Sequence, residues 1–359
     1  MTKEDIIIFY DVDGTLAEPF QSPIYELKKM LTSLDKAGVE QVLCSGKGKD
    51  YLAGMARGLG IANTPYVIAE NGGVIYDWKK QKIAHIADKN SKKVKVIKPK
   101  VLRAVKKHDY YEELKETIIT LFFENELLAQ KAAKIIEENI AQPNELNIKS
   151  HPDGAVDIIW GNIHKGIAIE YYMQKISSNK KIFTCGDGIN DLEMLSIGYP
   201  VTFNNAHPRV KDKVKSRKGY ISEEDGPVGL MHAISHLVFE NHINNAINHI
   251  SYIKRHWGSW EVLSVGKDYK VKEMRVAIGK SLSLQKHHHR SEHWFVFEGE
   301  AEVSINNKNI QLSEGEDYFI PQGSIHKVSN IGESELVIIE VQRGKYLGED
   351  DIVRYNSDY

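Results

Sequence analysis

The sequence predicts two fold classes in one chain: an α/β Rossmann-like core interrupted by an inserted α+β cap, followed by an all-β barrel. The first observation is the run Ile-Ile-Ile-Phe-Tyr at residues 6–10, which drops straight into Asp11 and Asp13. A continuous apolar run fits a strand covered on both faces, and such sheets bind ligands beyond the carboxyl ends of their strands. The second is that strand-like and helix-like segments alternate from there on. The third is a change of grammar from His256 onward, where short β-rich segments are separated by glycine or asparagine turns.

Composition limits the function classes. The 359 residues are 42% hydrophobic and 27% charged, as in globular proteins of two or three domains. A formal net charge of −2 argues against a generally nucleic-acid-binding surface, although residues 92–107 are locally basic. That stretch reads as a solvated face, with help in attracting anionic substrates as the alternative. No apolar run is long enough to cross a bilayer, and residues 1–5 lack the apolar core of a signal peptide, so the expected location is cytoplasmic. Cys44 and Cys185 lie in strand-like runs and read as reduced core thiols.

Taken in order, Ser22-Pro23 starts a helix with Ile24, Leu27, Met30, Leu31 and Leu34 on one side, which Gly38 stops. Residues 39–44 form the next buried strand and end in Ser45-Gly46-Lys47; residues 51–59 are the following helix. Segments 66–70 and 74–78 flank Asn71-Gly72-Gly73 as a hairpin. Residues 81–154 read as the insertion, basic and extended at first, then helical over 111–122 and 126–140, then strand-like near 146–150. The core resumes at 155–160, and a helix follows Lys165-Gly166. Residues 180–185 restore the buried-strand pattern and end in Gly186-Asp187-Gly188-Ile189-Asn190-Asp191. Two carboxylates at Asp11 and Asp13 share one side of an extended chain and call for a hard cation such as Mg²⁺. Four aspartates, Ser45 and Lys165 thus fall at strand ends or helix starts of one α/β unit, which turn preference alone explains poorly.

These residues resemble the motifs of the haloacid dehalogenase superfamily, specifically its sugar-phosphatase-like members with an α/β cap. Asp11-Val12-Asp13-Gly14-Thr15 matches the first motif, Ser45 the second, Lys165 the third, and the run from Gly186 to Asp191 the fourth. The resemblance implies that Asp11 is the nucleophile and that Asp13 is the acid and then the base. It also implies that Asp11, Asp187 and the Asp13 carbonyl hold Mg²⁺, with Asp191 supporting, while Lys165 and Ser45 bind phosphoryl oxygens. Phosphomannomutases of the same superfamily share the first motif, so phosphoryl transfer is the rival.

Residues 226–239 read as the last helix of that unit, which takes in 1–80 and 155–239, and 240–253 as a polar, helical or coiled linker. Beyond it, strands are expected at 260–264, 269–278, 293–297, 302–305, 318–320 and 335–341. Between them, Gln285 and His287 share one face of an extended strand, and a cavity can gather them with Glu292 and the distant His326. The wording from Gln285 to Trp294 resembles the cupin domain of type II mannose-6-phosphate isomerases, as do His256-Trp257-Gly258-Ser259-Trp260 and the segment from Tyr346 to Arg354. The match covers 254–359; the nucleotidyltransferase domain that usually precedes it is absent, and Gln285 stands where many cupins have histidine. The resemblance implies interconversion of mannose 6-phosphate and fructose 6-phosphate with Zn²⁺ or another divalent ion on Gln285, His287, Glu292 and His326. Arg290 either stabilises phosphate or enediolate charge or forms a surface ion pair. The expected ligands are small phosphorylated sugars. Cupins tend to pair, so the resemblance admits a homodimer; it also admits a sugar-phosphate-binding or dimerisation module without turnover.

Overall fold

The computed structural model describes residues 6–19, 21–86, 88–140, 146–177, 179–239, 252–306 and 308–355. Contacts divide the chain into two units: Met1–Ile24 with Gly38–Leu230, and Tyr25–Ala37 with Met231–Tyr359.

In the first unit, strand β1 (Ile6–Tyr10) is buried at every position, as a central parallel strand must be. Helix α1 (Tyr25–Lys36) follows it in sequence but groups with the second unit, where Lys29 pairs with Glu261. Next come β2 (Glu40–Cys44), α2 (Lys49–Gly58), β3 (Tyr66–Ala69), β4 (Val74–Asp77) and β5 (Lys82–His85). The expected hairpin is present, with β3 and β4 antiparallel around Glu70, Asn71, Gly72 and Gly73. Helix α3 (Asp88–Ala104) opens the insertion, followed by β6 (Tyr111–Glu113), β7 (Ile118–Phe122), α4 (Glu126–Asn139), β8 (Leu146–Ser150) and β9 (Ala155–Trp160). The core returns with α5 (Lys165–Lys175), β10 (Lys181–Cys185), β11 (Tyr199–Thr202), α6 (Pro208–Ser216), β12 (Tyr220–Ile221) and α7 (Gly226–Phe239). Its sheet runs β12-β11-β10-β1-β2-β3-β4-β5, parallel from β12 to β3. Asp11, Ser45 and Gly186 therefore all leave the same edge.

Three readings of the insertion are corrected. Residues 88–104 are helical, not extended: Val94, Ile97, Val101 and Val105 recur at helical spacing and pack against the insertion's own sheet. Their lysine-rich surroundings and Pro99 obscured that period. Residues 111–122 are two strands, not a helix, because Ile118-Ile119-Thr120-Leu121-Phe122 is a β-branched and aromatic run, and a short apolar run does not itself reveal its period. Finally, β9 pairs with β7 and β8 in the sheet β6-β7-β9-β8, so 155–160 belongs to the insertion while β5 belongs to the core.

The division between the units falls within α7, at Leu230, and the helix's extent agrees with expectation; most of the expected linker, 240–251, lies outside the described residues. The first strands of the second unit are β13 (Tyr252–Arg255), β14 (Gly258–Val265), β15 (Tyr269–Val276), β16 (Leu284–His287) and β17 (Arg290–Glu298). Then follow β18 (Ala301–Ile305), β19 (Lys308–Leu312), β20 (Asp317–Ile320), β21 (His326–Asn330), β22 (Leu336–Gly344) and β23 (Ile352–Tyr355). They form two antiparallel sheets, β13-β14-β15-β22-β17-β20 and β19-β18-β21-β16-β23. Their alternation is inverted in places: Glu292, Glu340 and Gln342 are buried, whereas Phe295, Phe319 and Val341 are exposed. Glu292 and Gln342 face each other in register and Glu340 lies two residues before Gln342 on the same strand, so polar residues turned inward at neighbouring positions mark a cavity built for polar chemistry.

Candidate functional sites

The first site is assembled at the ends of β1, β2 and β10 and at the first turn of α5. The Asp11 amide donates to the Cys185 carbonyl at 2.9 Å, tying the end of β1 to that of β10. Lys165, fully buried, donates to Asp11 Oδ1 at 2.6 Å and to Asp191 Oδ1 at 2.5 Å. The other Asp191 oxygen accepts from the amides of Asp187 at 3.1 Å and Gly188 at 2.9 Å. Asp187 is steadied by Thr15, whose hydroxyl donates at 3.1 Å. Gly14 is at φ +79, and a Cβ there would fall 2.4 Å from Asp187 Oδ2, so glycine alone lets the turn pass this carboxylate.

Three carboxylates, Asp11, Asp187 and Asp191, offer oxygens within 4.8 Å of one another around a single lysine. Burial, reinforced by Asp191, pushes Asp11 up to about 6 even against Lys165. Burial, then Asp11 and Asp191, pushes Asp187 up to about 8. Burial opposes the charge of Lys165, but Asp11 and Asp191 outweigh it and raise its pKa. So crowded a set of hard oxygens is short of positive charge, and a divalent cation fits it. Asp191 already spends both oxygens on Lys165 and backbone amides, which leaves Asp11 and Asp187 as the side chains with capacity to ligate.

The sequence reading did not single out several residues that line the adjoining cavity of about 470 Å³. Lys47, two residues beyond Ser45, stands 3.2 Å from Asp13. Burial raises the Asp13 pKa, and Lys47 opposes that rise. From the insertion come Lys115, which meets Glu113 at 2.9 Å and donates to Thr120 at 2.8 Å, and His151, 3.3 Å from Asp157. Asp157 also accepts from Thr120 at 2.5 Å and from Asn71 of the β3–β4 turn at 3.3 Å. Beside Asn71, Glu70 accepts from the amides of Glu116 and Thr117, so the turn read as a hairpin also fastens the insertion. Its signal was present in Asn71-Gly72-Gly73, but that dipeptide chemistry has a common structural use.

In the second site, β16, β17 and β21 bring His287, Glu292 and His326 together, with one donor atom of each within 4.8 Å of the others. Nε2 of His287 is 3.0 Å from Glu292 Oε1 and Nε2 of His326 is 3.4 Å from Oε2, without hydrogen-bond alignment. All three side chains are at most 2% exposed, and His287 Nε2, Glu292 Oε2 and His326 Nε2 are buried without a hydrogen-bond partner. Converging orphaned lone pairs of this kind suit a divalent metal. Nδ1 of His326 faces the Ser324 carbonyl at 2.9 Å, and Trp294 stands edge-on to its ring, so the imidazole is oriented from behind. Gln285 is the register partner of His326, two residues before His287 on the same face.

Although burial opposes it, His287, His326 and Arg290 hold the Glu292 carboxylate well below its ordinary range. Arg290 is 2% exposed and donates to Glu292 at 3.0 Å and to the Gly348 carbonyl at 2.9 Å, so it is a buried ion-pair partner and not a surface one. Gln342 donates to Glu292 at 3.2 Å and to Glu340 at 2.9 Å. Burial and the neighbouring Glu292 push Glu340 up to about 8. Arg290, Glu292, Glu340 and Gln342 line a cavity of about 350 Å³.

Comparison with known proteins divides the chain near the same point after Leu230, although the first match includes α1, which by contacts groups with the second unit. The haloacid dehalogenase-like hydrolase model matches residues 8–104 and 87–228, and the mannose-6-phosphate isomerase C-terminal model matches 242–357. The xanthan biosynthesis protein XanB of Xanthomonas campestris is 45% identical over 107 residues, 30% of this chain and 23% of that protein. The alginate biosynthesis protein AlgA of Pseudomonas putida is 46% identical over 112 residues, 31% of this chain and 23% of that protein. The chain thus spans about a quarter of the length of the curated relatives it matches. A haloacid dehalogenase-like hydrolase from Bacteroides thetaiotaomicron superposes with a TM-score of 0.53 at 16% identity, covering 66% of this chain and 100% of that one. Among the described residues, no helix is long and apolar enough to cross a membrane.

Proposed function

Because the chain belongs to the haloacid dehalogenase-like hydrolase family and its C-terminal third matches the mannose-6-phosphate isomerase C-terminal model, we propose a bifunctional cytoplasmic enzyme of sugar phosphates. The observation that carries this reading is the presence, in separate units, of two metal-fitting clusters of different donor chemistry.

In the first unit Asp11 attacks phosphorus: the Asp11 oxygen–phosphorus bond forms, the ester P–O bond breaks, and Asp13 gives its proton to the departing sugar oxygen. Asp13 then takes a proton from water as that water attacks phosphorus and frees Asp11. Lys165 and Asp191 fix the nucleophile, and Ser45 binds a phosphoryl oxygen. Mg²⁺ held by Asp11, Asp187 and the Asp13 carbonyl would supply the charge neutralisation that lets a carboxylate approach a phosphate. Hydrolysis is favoured over a bisphosphate-dependent mutase by the cavity's charges: Lys47, Lys115 and His151 are matched by Asp13, Glu113 and Asp157. A second phosphate would have to displace an existing partner, whereas neutral hydroxyls find both donors and acceptors.

In the second unit a proton moves between C1 and C2 of a hexose 6-phosphate through an enediol. Zn²⁺ on Gln285, His287, Glu292 and His326 would supply polarisation of the sugar oxygens. Arg290 holds Glu292 in place, and the side chains of Lys272, Glu340 and Gln342 give the sugar a polar wall.

Fructose 6-phosphate supplied to the intact chain with Mg²⁺ and Zn²⁺ should yield free mannose and inorganic phosphate, followed by chromatography and phosphate assay. Isomerisation without phosphate release would leave the hydrolase acting on another phosphorylated substrate; neither product would refute the pairing.

A further inference from the structure

We propose that Arg255 and Arg354 form the clamp that holds the substrate's phosphate in the second cavity, while Arg290 is a positioning residue for Glu292. This rests on reading that cavity as a sugar-phosphate site, and it assigns the end of the ligand remote from the metal-fitting cluster.

Arg290 is poorly placed for the anion. Its Nε is spent on Glu292, its Nη1 on the Gly348 carbonyl, and Asp351 stands 3.9 Å from that same nitrogen. A phosphate bound there would have to break contacts that orient a metal-fitting carboxylate.

Arg354 is differently situated. It pairs in register with Gln285 across β16 and β23, and Gln285 pairs with His326 across β16 and β21. Residues in register across neighbouring strands share a face, so His326, Gln285 and Arg354 form one row along the inner side of the sheet. Two interstrand spacings separate the ends of that row, roughly 10 Å. This separation suits a sugar that reacts at C1 and C2 at one end and carries phosphate on C6 at the other. Arg255 reaches the same cavity from the opposite sheet, at the end of β13. Arg255 is half-buried and Arg354 exposed, so the two guanidinium groups stand where a charged group can enter without full dehydration.

Charge agrees with geometry. Four cationic side chains, Arg255, Lys272, Arg290 and Arg354, line this cavity against three carboxylates, Glu292, Glu340 and Glu349. Glu292 answers Arg290, and Glu349 answers Lys272 and also acts on Arg255 and Arg354. Burial, then the neighbouring Arg354, pushes Arg255 down to about 9, with Glu349 acting in the opposite sense. Two like charges gathered at one cavity are relieved by a dianion between them, and a guanidinium fork matches phosphate oxygens.

The test uses the full chain and inorganic phosphate as probe. Calorimetric titration should give two phosphate sites in the wild type, one per unit, and one in R255Q/R354Q. In the isomerase assay the same variant should raise KM for fructose 6-phosphate about tenfold or more, with a smaller change in kcat and unchanged phosphatase activity. R255K/R354K, which keeps charge but loses the fork, should fall between them and guards against misfolding, as does an unchanged circular dichroism spectrum. An unaltered KM, or two phosphate sites persisting in R255Q/R354Q, would overturn the clamp. Should the wild type not isomerise at all, phosphate stoichiometry still decides: loss of the second site upholds the clamp while the isomerase reading fails, and a single site in the wild type refutes the clamp.

Discussion

The two sites meet a similar need with opposite materials. In the first unit, carboxylates are crowded around one buried lysine at the ends of parallel strands, and the pKa values of Asp11 and Asp187 rise because burial, and after it the neighbouring carboxylates, disfavour their charge. In the second, two imidazoles flank one carboxylate on the walls of an antiparallel barrel, and that carboxylate is held well below its ordinary pKa range. The comparison teaches that the donor set follows the fold. Parallel strands deliver short polar turns from several segments to one edge, whereas a barrel presents inward rungs whose side chains must be nearly charge-balanced to be buried. A hard divalent cation suits the first donor set and a borderline one the second.

The largest expected effect separates the units. Asp11→Asn should lower phosphatase turnover roughly 10³-fold or more and leave isomerase kinetics unchanged, and Glu292→Ala should do the reverse. Parallel assays on both variants check this, and a mutual loss would dissolve the division between the sites. A smaller effect concerns support of a ligand: Arg290→Gln should weaken metal retention by the second unit about 10- to 100-fold, measured by chelator competition, with the first unit's metal unaffected. Smallest is a shift in pH dependence. Lys47 stabilises ionised Asp13, so Lys47→Met raises the Asp13 pKa and should move the phosphatase pH profile upward. A profile that stays put or moves downward would detach Lys47 from the acid–base group.

Much of this was legible in the chain because the motif residues are local consequences of strand ends. Asp11, Ser45 and Asp187 each follow an apolar run, and the runs alone imply a common edge. The inserted sheet was misread at 111–122, where five apolar or β-branched residues fit either period until β9 is available as a partner. Asp157 carries no signal of its own, since its meeting with Asn71, Thr120 and His151 exists only after the insertion folds over the core. In the barrel, alternation points Val341 inward by habit of hydrophobicity, yet Glu340 and Gln342 face the cavity. Arg255 and Arg354 are nearly a hundred positions apart, and only the strand register brings them to one opening.

Cys44 and Cys185 are the chain's two cysteines; both are buried at the ends of core strands, and burial raises both thiols. Because thiolate is the reactive form, a labelling reagent finds little of it until those strands separate. The cysteines therefore serve as a clock for one half of the molecule. Their rate of modification during denaturation times the opening of the phosphatase core, while the barrel, which has no thiol, is silent to the same reagent.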